Sequence, residues 1–129
     1  MASWLQLKSY IGSNYQISAD DGDLLKLLFS TGNGRSQMVL VSHSTTGTGV
    51  EFAIIASPVA TVGTVELNSL LREVSEYSVG GVVIYGDMLM IRHSVPLADL
   101  DAGDFDAPLV LVTGAADAVE AKFVGSDAF

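Results

Sequence analysis

The chain contains no cysteine, which excludes disulfide bonds and thiolate metal sites. Its first ten residues, MASWLQLKSY, lack the basic start and the apolar run of a secretory signal peptide. No apolar run approaches the ~18 residues that a membrane-spanning helix requires. These absences predict a soluble, cytoplasmic protein that has no membrane partner.

Basic residues are also scarce, because six lysines and arginines stand against fifteen acids and give a formal net charge of −9. Such a chain is repelled by nucleic acid and by anionic lipid, so neutral or basic partners are expected. The 129 residues are 49% hydrophobic and only 16% charged, which suffices for one core. We therefore predict a single domain that covers residues 1–129.

Two acidic clusters could in principle bind a metal, because calcium prefers several carboxylate oxygens from one loop. They are ADDGD, with Asp20, Asp21 and Asp23, and DLDAGDFD, with Asp99, Asp101, Asp104 and Asp106. Neither matches the EF-hand pattern, since the second has glycine at the third ligand position and no final glutamate. A turn explains the first cluster and a helix N-terminus the second, so we predict no metal site.

Residues suited to catalysis are few. His43 and His93 are the only histidines, and the chain has no G-x-S-x-G nucleophile elbow. The glycine-rich stretches GNGRS and TTGTG lie between predicted strands, whereas a phosphate-binding loop opens a helix. We predict no catalytic residues and no cofactor. A metal-dependent hydrolase that uses the acidic loops is the least favoured alternative.

Hydrophobic periodicity and turn residues divide the chain into helices and strands. Helices are predicted over 3–11, 64–77 and 104–124, and strands over 14–18, 23–31, 36–43, 50–57 and in a hairpin near 82–91. Pro58 is expected to end its strand, Thr64 to cap the second helix, and Gly114 marks a candidate kink or break in the third. The order helix, three-strand meander, helix, hairpin, helix predicts an α+β fold, with three helices against an antiparallel sheet of about five strands.

The hairpin GGVVIYGDMLMIRHSVPL, residues 80–97, lacks a polar face. A turn at Gly86-Asp87 places Val82, Ile84, Leu89 and Ile91 on one face, and Val83, Tyr85, Met88 and Met90 on the other. An antiparallel hairpin with one face in water should alternate apolar and polar residues, and this one does not. Both faces are therefore expected to be covered, the second either by a helix of the same chain or by another chain.

The hairpin and the helix after it carry a resemblance to a known family. In VVIYGDMLMIRHSVPLADLDAGDFDAPLVLVTGAADAVEAKF, residues 82–123, a strand pair with a glycine turn leads through a PL step into the last helix. The helix TVELNSLLREVSEY, residues 64–77, stands where the family has its middle helix. In this order of elements the chain resembles the type III secretion chaperone-like fold, including the YbjN-like bacterial proteins. The resemblance implies a homodimer that binds extended peptide segments without catalysis.

These observations together predict a non-enzymatic, chaperone-like module that forms a homodimer and holds an extended or apolar segment of an unidentified protein. The alternative is a structural or regulatory domain that only self-associates. For the dimer interface we predict Leu70, Val74, Val83, Tyr85, Met88 and Met90. For contact with the partner protein we predict Trp4, Leu7, Leu25, Leu27 and Phe29.

Overall fold

A computed structural model describes residues 1–125 and residue 129 and confirms the α+β class. The elements are α1 (Trp4–Asn14), β1 (Ile17–Asp20), β2 (Leu24–Gly32), β3 (Arg35–Thr45), β4 (Glu51–Thr61), α2 (Leu67–Val74), β5 (Gly81–Tyr85), β6 (Met88–Pro96) and α3 (Ala102–Phe123). Their order matches the predicted order, but the sheet has six strands and not about five. Within the described residues, no helix is both long and apolar enough to cross a lipid bilayer.

The sheet is antiparallel throughout, with the strand order β1-β2-β3-β4-β6-β5. The last hairpin is inserted so that β6 pairs with β4, which leaves β5 at the edge. Its predicted register is confirmed, since Tyr85 pairs with Met88 and Val83 pairs with Met90. The five residues of β5 therefore have a hydrogen-bonded neighbour on one side only.

The core lies between one face of the sheet and the three helices. Leu7 of α1, Leu70 of α2 and Phe105 of α3 are fully buried and belong to one cluster with strand residues such as Val39 and Ile55. The side chains of a strand alternate between its two faces, so the core takes every second residue of β2 and β3, whereas the register shift in β4 places both Val59 and Ala60 in the core cluster. We call the opposite side of the sheet, which faces away from the core cluster, the helix-free face.

Pro58 does not end its strand, so that prediction is wrong. Strand β4 continues to Thr61, with a register shift between Pro58 and Ala60. Side chains replace the bonds that the proline disturbs. The Ser57 hydroxyl donates to the Met38 carbonyl oxygen at 2.6 Å, and the Gln37 amide donates to the Pro58 carbonyl oxygen at 2.8 Å. A proline is tolerated inside a sheet at such an irregularity.

The predicted cap of the second helix is also wrong. Helix α2 begins at Leu67, and its cap is Glu66, whose carboxylate accepts from the Ser69 backbone N–H at 2.7 Å. The Thr64 hydroxyl donates instead to the Thr61 carbonyl oxygen, within the turn after β4.

Helix α3 runs through both Pro108 and Gly114 without a break. It begins at Ala102, two residues before the predicted start, because Asp101 and Asp104 form a reciprocal capping box.

Candidate functional site

The helix-free face contains an apolar groove with a volume of about 380 Å³. Its walls come from β2, β3, β4, β6 and β5, and the lining residues are Leu24, Leu40, Ser42, Ile54, Ala56, Val83, Ile84, Tyr85, Met90 and Arg92. Among the described lining residues, a polar side-chain group is present only in Ser42, Tyr85 and Arg92. This volume lies near the lower end of the range that small-molecule and cofactor sites occupy, roughly 300–1,000 Å³.

The groove crosses five of the six strands of the sheet. Leu24 in β2 and Tyr85 in β5 line the same groove, although three strands separate them. The four strand spacings between them amount to about 19 Å, at ~4.8 Å each.

The residues predicted for a dimer interface do not share one surface. Leu70 and Val74 are core residues of α2, with 0% and 6% of their surface exposed. The hairpin residues do lie on the helix-free face, but to different depths. Met90 is 2% exposed, Val83 and Met88 are half-buried, and Tyr85 is 68% exposed. Met90 is thus buried within the single chain, while Tyr85 is open to solvent.

Of the residues predicted to contact a partner protein, Trp4, Leu7, Leu25 and Leu27 are buried in the core. Phe29 is half-buried, and its ring contacts that of Tyr15 edge to face at 5.7 Å. These side chains hold α1 and β2 together, so we assign them to the core and not to a binding surface. The stretch DLLKLLFST is apolar on both faces, which is why its core side could not be identified from apolarity alone.

The residues of β2 to β4 that line the groove were missed by the sequence prediction. In β2, the charged Lys26 marks the solvent side, so the sequence does indicate that Leu24 and Leu28 face away from the core. Leu40 and Ile54 have no such signal, because their position depends on the pairing of β3 with β4 and of β4 with β6.

The two acidic clusters act as local structural elements. In the first, hydrogen bonds from the Gly22 backbone N–H and the Lys8 ammonium hold the pKa of Asp20 below its usual value. In the second, Asp101 and Asp104 cap α3, and Asp106 accepts hydrogen bonds from the hydroxyls of Tyr10 and Tyr15. Among the described residues, no group of three or more histidines, cysteines or acids is placed to hold a metal ion.

His43 lies at the end of β3, on the core side of the sheet. Its ring stacks on Trp4, with centroids 5.4 Å apart and planes 6° from parallel. Its Nε2 lies 2.8 Å from a Glu51 carboxylate oxygen, and its Nδ1 lies 3.4 Å from one of Asp23. The Trp4 indole N–H donates to the Gly22 carbonyl oxygen, so this cluster attaches α1 to the turn before β2. His93 accepts a hydrogen bond from the Gly80 backbone N–H at 3.2 Å.

A smaller cleft of about 260 Å³ lies between the end of β2 and α3. It is lined by Phe29, Ser30, Thr31, Val110, Thr113 and Gly114. The Thr31 hydroxyl is buried there without a hydrogen-bond partner in the described chain. Among the described residues that line it, the cleft has hydroxyl groups but no charged side chain, whereas Arg92 lines the groove on the helix-free face.

No protein-family model, no curated protein and no solved structure matches this chain.

Proposed function

We propose that this protein is a non-enzymatic protein-binding module that holds an extended, apolar segment of another protein in the groove on its helix-free face. The observation that carries the proposal is the groove itself, a 380 Å³ apolar depression on the side of the sheet away from the core cluster. The resemblance to the type III secretion chaperone-like fold leads to the same expectation.

The composition of the groove favours a peptide segment. Its walls are mostly aliphatic, and Met90 adds a side chain that adapts to irregular shapes. Antiparallel sheets normally put polar residues on a face that stays in water, whereas this face has Leu40 and Ile54 at its centre. A contiguous apolar patch of this kind is typical of an interaction site.

We further propose that two copies of the chain associate through β5. An exposed edge strand is a ready template for pairing with another strand, and Ile84 and Tyr85 of β5 are 63% and 68% exposed. If two β5 strands pair antiparallel about Val83, Tyr85 of each copy lies opposite Gly81 of the other. Gly81 has no side chain, and no atom lies within 4 Å of an added Cβ, so a large ring fits beside it.

Peptide binding can be tested by fluorescence anisotropy with a labelled, uncharged heptapeptide, Ser-Gln-Val-Leu-Val-Gln-Ser. We expect saturable binding that Ile54→Lys, at the centre of the groove, weakens at least tenfold. The control is Leu5→Lys, because Leu5 is 75% exposed on α1 and outside the groove. Absence of binding, or equal loss in both variants, would contradict the groove proposal.

The dimer can be tested separately by light scattering after size-exclusion chromatography. We expect a dimer for the wild-type chain and for Leu5→Lys, and a folded monomer for Ile84→Lys combined with Tyr85→Lys. A dimer without peptide binding would favour the alternative of a domain that only self-associates. A wild-type monomer would refute pairing through β5 and leave the groove proposal standing.

A further inference from the structure

The charge of the sheet is opposite in sign to the charge of the whole chain. Strands β2 to β6 contain a single acidic residue, Glu51. Its carboxylate lies on the core side with His43 and Trp4. The helix-free face of these strands therefore has no carboxylate, whereas Lys26 and Arg92 both project from it. Other acids occupy helices and turns, such as Asp87 between β5 and β6.

Lys26 on β2 and Arg92 on β6, the second of which lines the groove, lie in one row of paired residues across the sheet. Lys26 pairs with Leu40, Leu40 pairs with Ala56, and Ala56 pairs with Arg92. Three strand spacings separate the two cations, which is about 14 Å at ~4.8 Å each. The two residues between them, Leu40 and Ala56, line the apolar groove.

Both cations are available to a ligand. In the part of the chain that the structure describes, three of the six bases form ion pairs: Lys8 with Asp20, Arg35 with Asp117 and Glu120, and Lys122 with Glu73. Lys26 and Arg92 are exposed, and neither side chain has a hydrogen bond or ion pair within the described part of the chain. Arg72 is the third base of this kind, but it lies on α2 and away from the groove.

The net charge of −9 favours neutral or basic partners only at long range. The Debye length is ~8 Å at physiological ionic strength, so acids beyond that distance act weakly on a ligand in the groove. At contact distance the unpaired guanidinium of Arg92 decides which charge is preferred. A local anion preference and a negative overall charge are therefore compatible.

We infer that the segment bound in the groove carries two carboxylate side chains four residues apart, with an apolar residue between them. An extended chain advances about 3.3 Å per residue, so four residues span about 13 Å and match the separation of Lys26 and Arg92. Residues i, i+2 and i+4 share one side of an extended chain, so both carboxylates and the central apolar side chain face the groove together. This inference rests on the proposed function and names the chemistry of the bound segment.

The test compares four heptapeptides, three of which share the same apolar centre. We expect Ser-Glu-Val-Leu-Val-Glu-Ser to bind about tenfold more tightly than its glutamine counterpart and the lysine counterpart to bind most weakly. In Ser-Val-Glu-Leu-Glu-Val-Ser the carboxylates are only two residues apart, so this peptide should show less than half of that gain. The preference for glutamate should disappear at about 500 mM NaCl, where exposed ion pairs are screened.

Reversing the charges on the helix-free face tests the inference from the protein side, and Arg72→Glu is the matched control. Lys26→Glu combined with Arg92→Glu should reverse the preference, so that the lysine peptide binds more tightly than the glutamate peptide. Arg72→Glu changes an unpaired base outside the groove and should leave the wild-type preference intact. Arg92→Gln gives a milder variant if the double reversal fails to fold, and it should remove most of the preference.

The two proposals fail in different ways. Equal affinity for the glutamate and glutamine peptides would overturn the charge inference and leave the groove proposal intact. An unchanged glutamate preference in the Lys26 and Arg92 variants would also overturn it, because another site would then carry the selectivity. Failure of every peptide to bind would overturn both.

Discussion

Asp106 joins the N-terminal segment to helix α3 through two tyrosine hydroxyls. Tyr10 on α1 and Tyr15 just after it both donate to the Asp106 carboxylate. Ionisation of either tyrosine would place two negative charges together. The hydrogen bond to Asp106 is the main cause of the raised pKa of Tyr10, and burial is the main cause of the raised pKa of Tyr15.

A raised tyrosine pKa contributes stability that is complete below the unfolded value, about 10, and is lost as pH rises towards the folded value. Tyr15→Phe should therefore lower the free energy of unfolding by about 1 kcal/mol at pH 7, the net value of one hydrogen bond. Above pH 10 the loss of stability should be less steep than in the wild type. Urea denaturation at several pH values measures both effects, and parallel pH profiles would refute the assignment. Tyr85→Phe, outside this cluster, controls for the loss of an exposed hydroxyl.

Arg35 provides a second residue-scale link, from β3 to the last turns of α3. Its guanidinium lies 3.0 Å from both Asp117 and Glu120, and the Glu120 side chain is fully buried. Arg35→Leu should cost about 3 kcal/mol, because a buried carboxylate loses its cation. Arg35→Leu combined with Glu120→Leu should recover much of that loss, whereas Lys122→Leu, in an exposed pair, should have little effect. A double variant as unstable as the single one would contradict this account.

Strand β4 depends on Ser57, because Pro58 has no N–H to offer to β3. The Ser57 hydroxyl donates to the Met38 carbonyl oxygen in its place. Ser57→Ala should therefore lower the free energy of unfolding by about 1–2 kcal/mol. In a Pro58→Ala background, residue 58 regains an N–H and the same change should cost less. A double-mutant cycle measures the difference, and an equal cost in both backgrounds would show that the serine does not substitute for the proline.

Strand β5 is held close to β6 by Gly80. Its φ is +72°, and an added Cβ would lie 2.6 Å from the Arg92 carbonyl oxygen. Gly80→Ala should lower the free energy of unfolding by about 3 kcal/mol or more, because the strain of a left-handed backbone and the clash with a backbone oxygen both contribute. Gly86, in the hairpin turn, has a φ of +62°, but no atom lies within 4 Å of an added Cβ. Gly86→Ala should therefore lower the free energy of unfolding by only about 1 kcal/mol. Equal losses of stability, measured by thermal melting, would show that the clash is relieved without cost.

Local elements were predictable because local chemistry specifies them. The turn at Gly86-Asp87 fixed the register of the last hairpin, and apolar spacing located α3. Pro58 was misjudged because its compensation comes from Gln37 and Ser57, and Gln37 lies on another strand. The groove could not be predicted from local sequence patterns for a similar reason. It depends on β6 pairing with β4, and strand order is a long-range property.

Neighbouring leucines that look equivalent in the sequence lie on different faces of the folded sheet. Leu25 and Leu27 are buried under the helices, while Leu24, one residue away, lines the groove. A shift of one residue in a strand exchanges its faces, so the choice of core face decides which residues remain for binding. The helices occupy the side with Trp4 and Phe105, and Lys26 and Arg92 lie on the other side. The face of the sheet that the helices cover therefore also determines which face remains for the proposed binding.

Net charge has its own consequence at the scale of the molecule. A chain with a net charge of −9 repels itself, and this repulsion weakens the compact state when little salt is present. The exposed ion pairs Lys8–Asp20 and Lys122–Glu73 act in the opposite direction, because salt weakens them. Isolated exposed pairs contribute little, so screening of the net charge should dominate and salt should stabilise the protein.

Raising NaCl from about 10 to 150 mM shortens the Debye length from ~30 to ~8 Å. We expect the melting temperature to rise by about 4 °C, which corresponds to about 1 kcal/mol for a chain of this size. Asp21→Lys, at an exposed turn, changes the net charge from −9 to −7, because one negative charge is lost and one positive charge is gained. Its melting temperature should be higher at low salt and less salt-dependent. A melting temperature that falls with salt would mean that the ion pairs outweigh the self-repulsion.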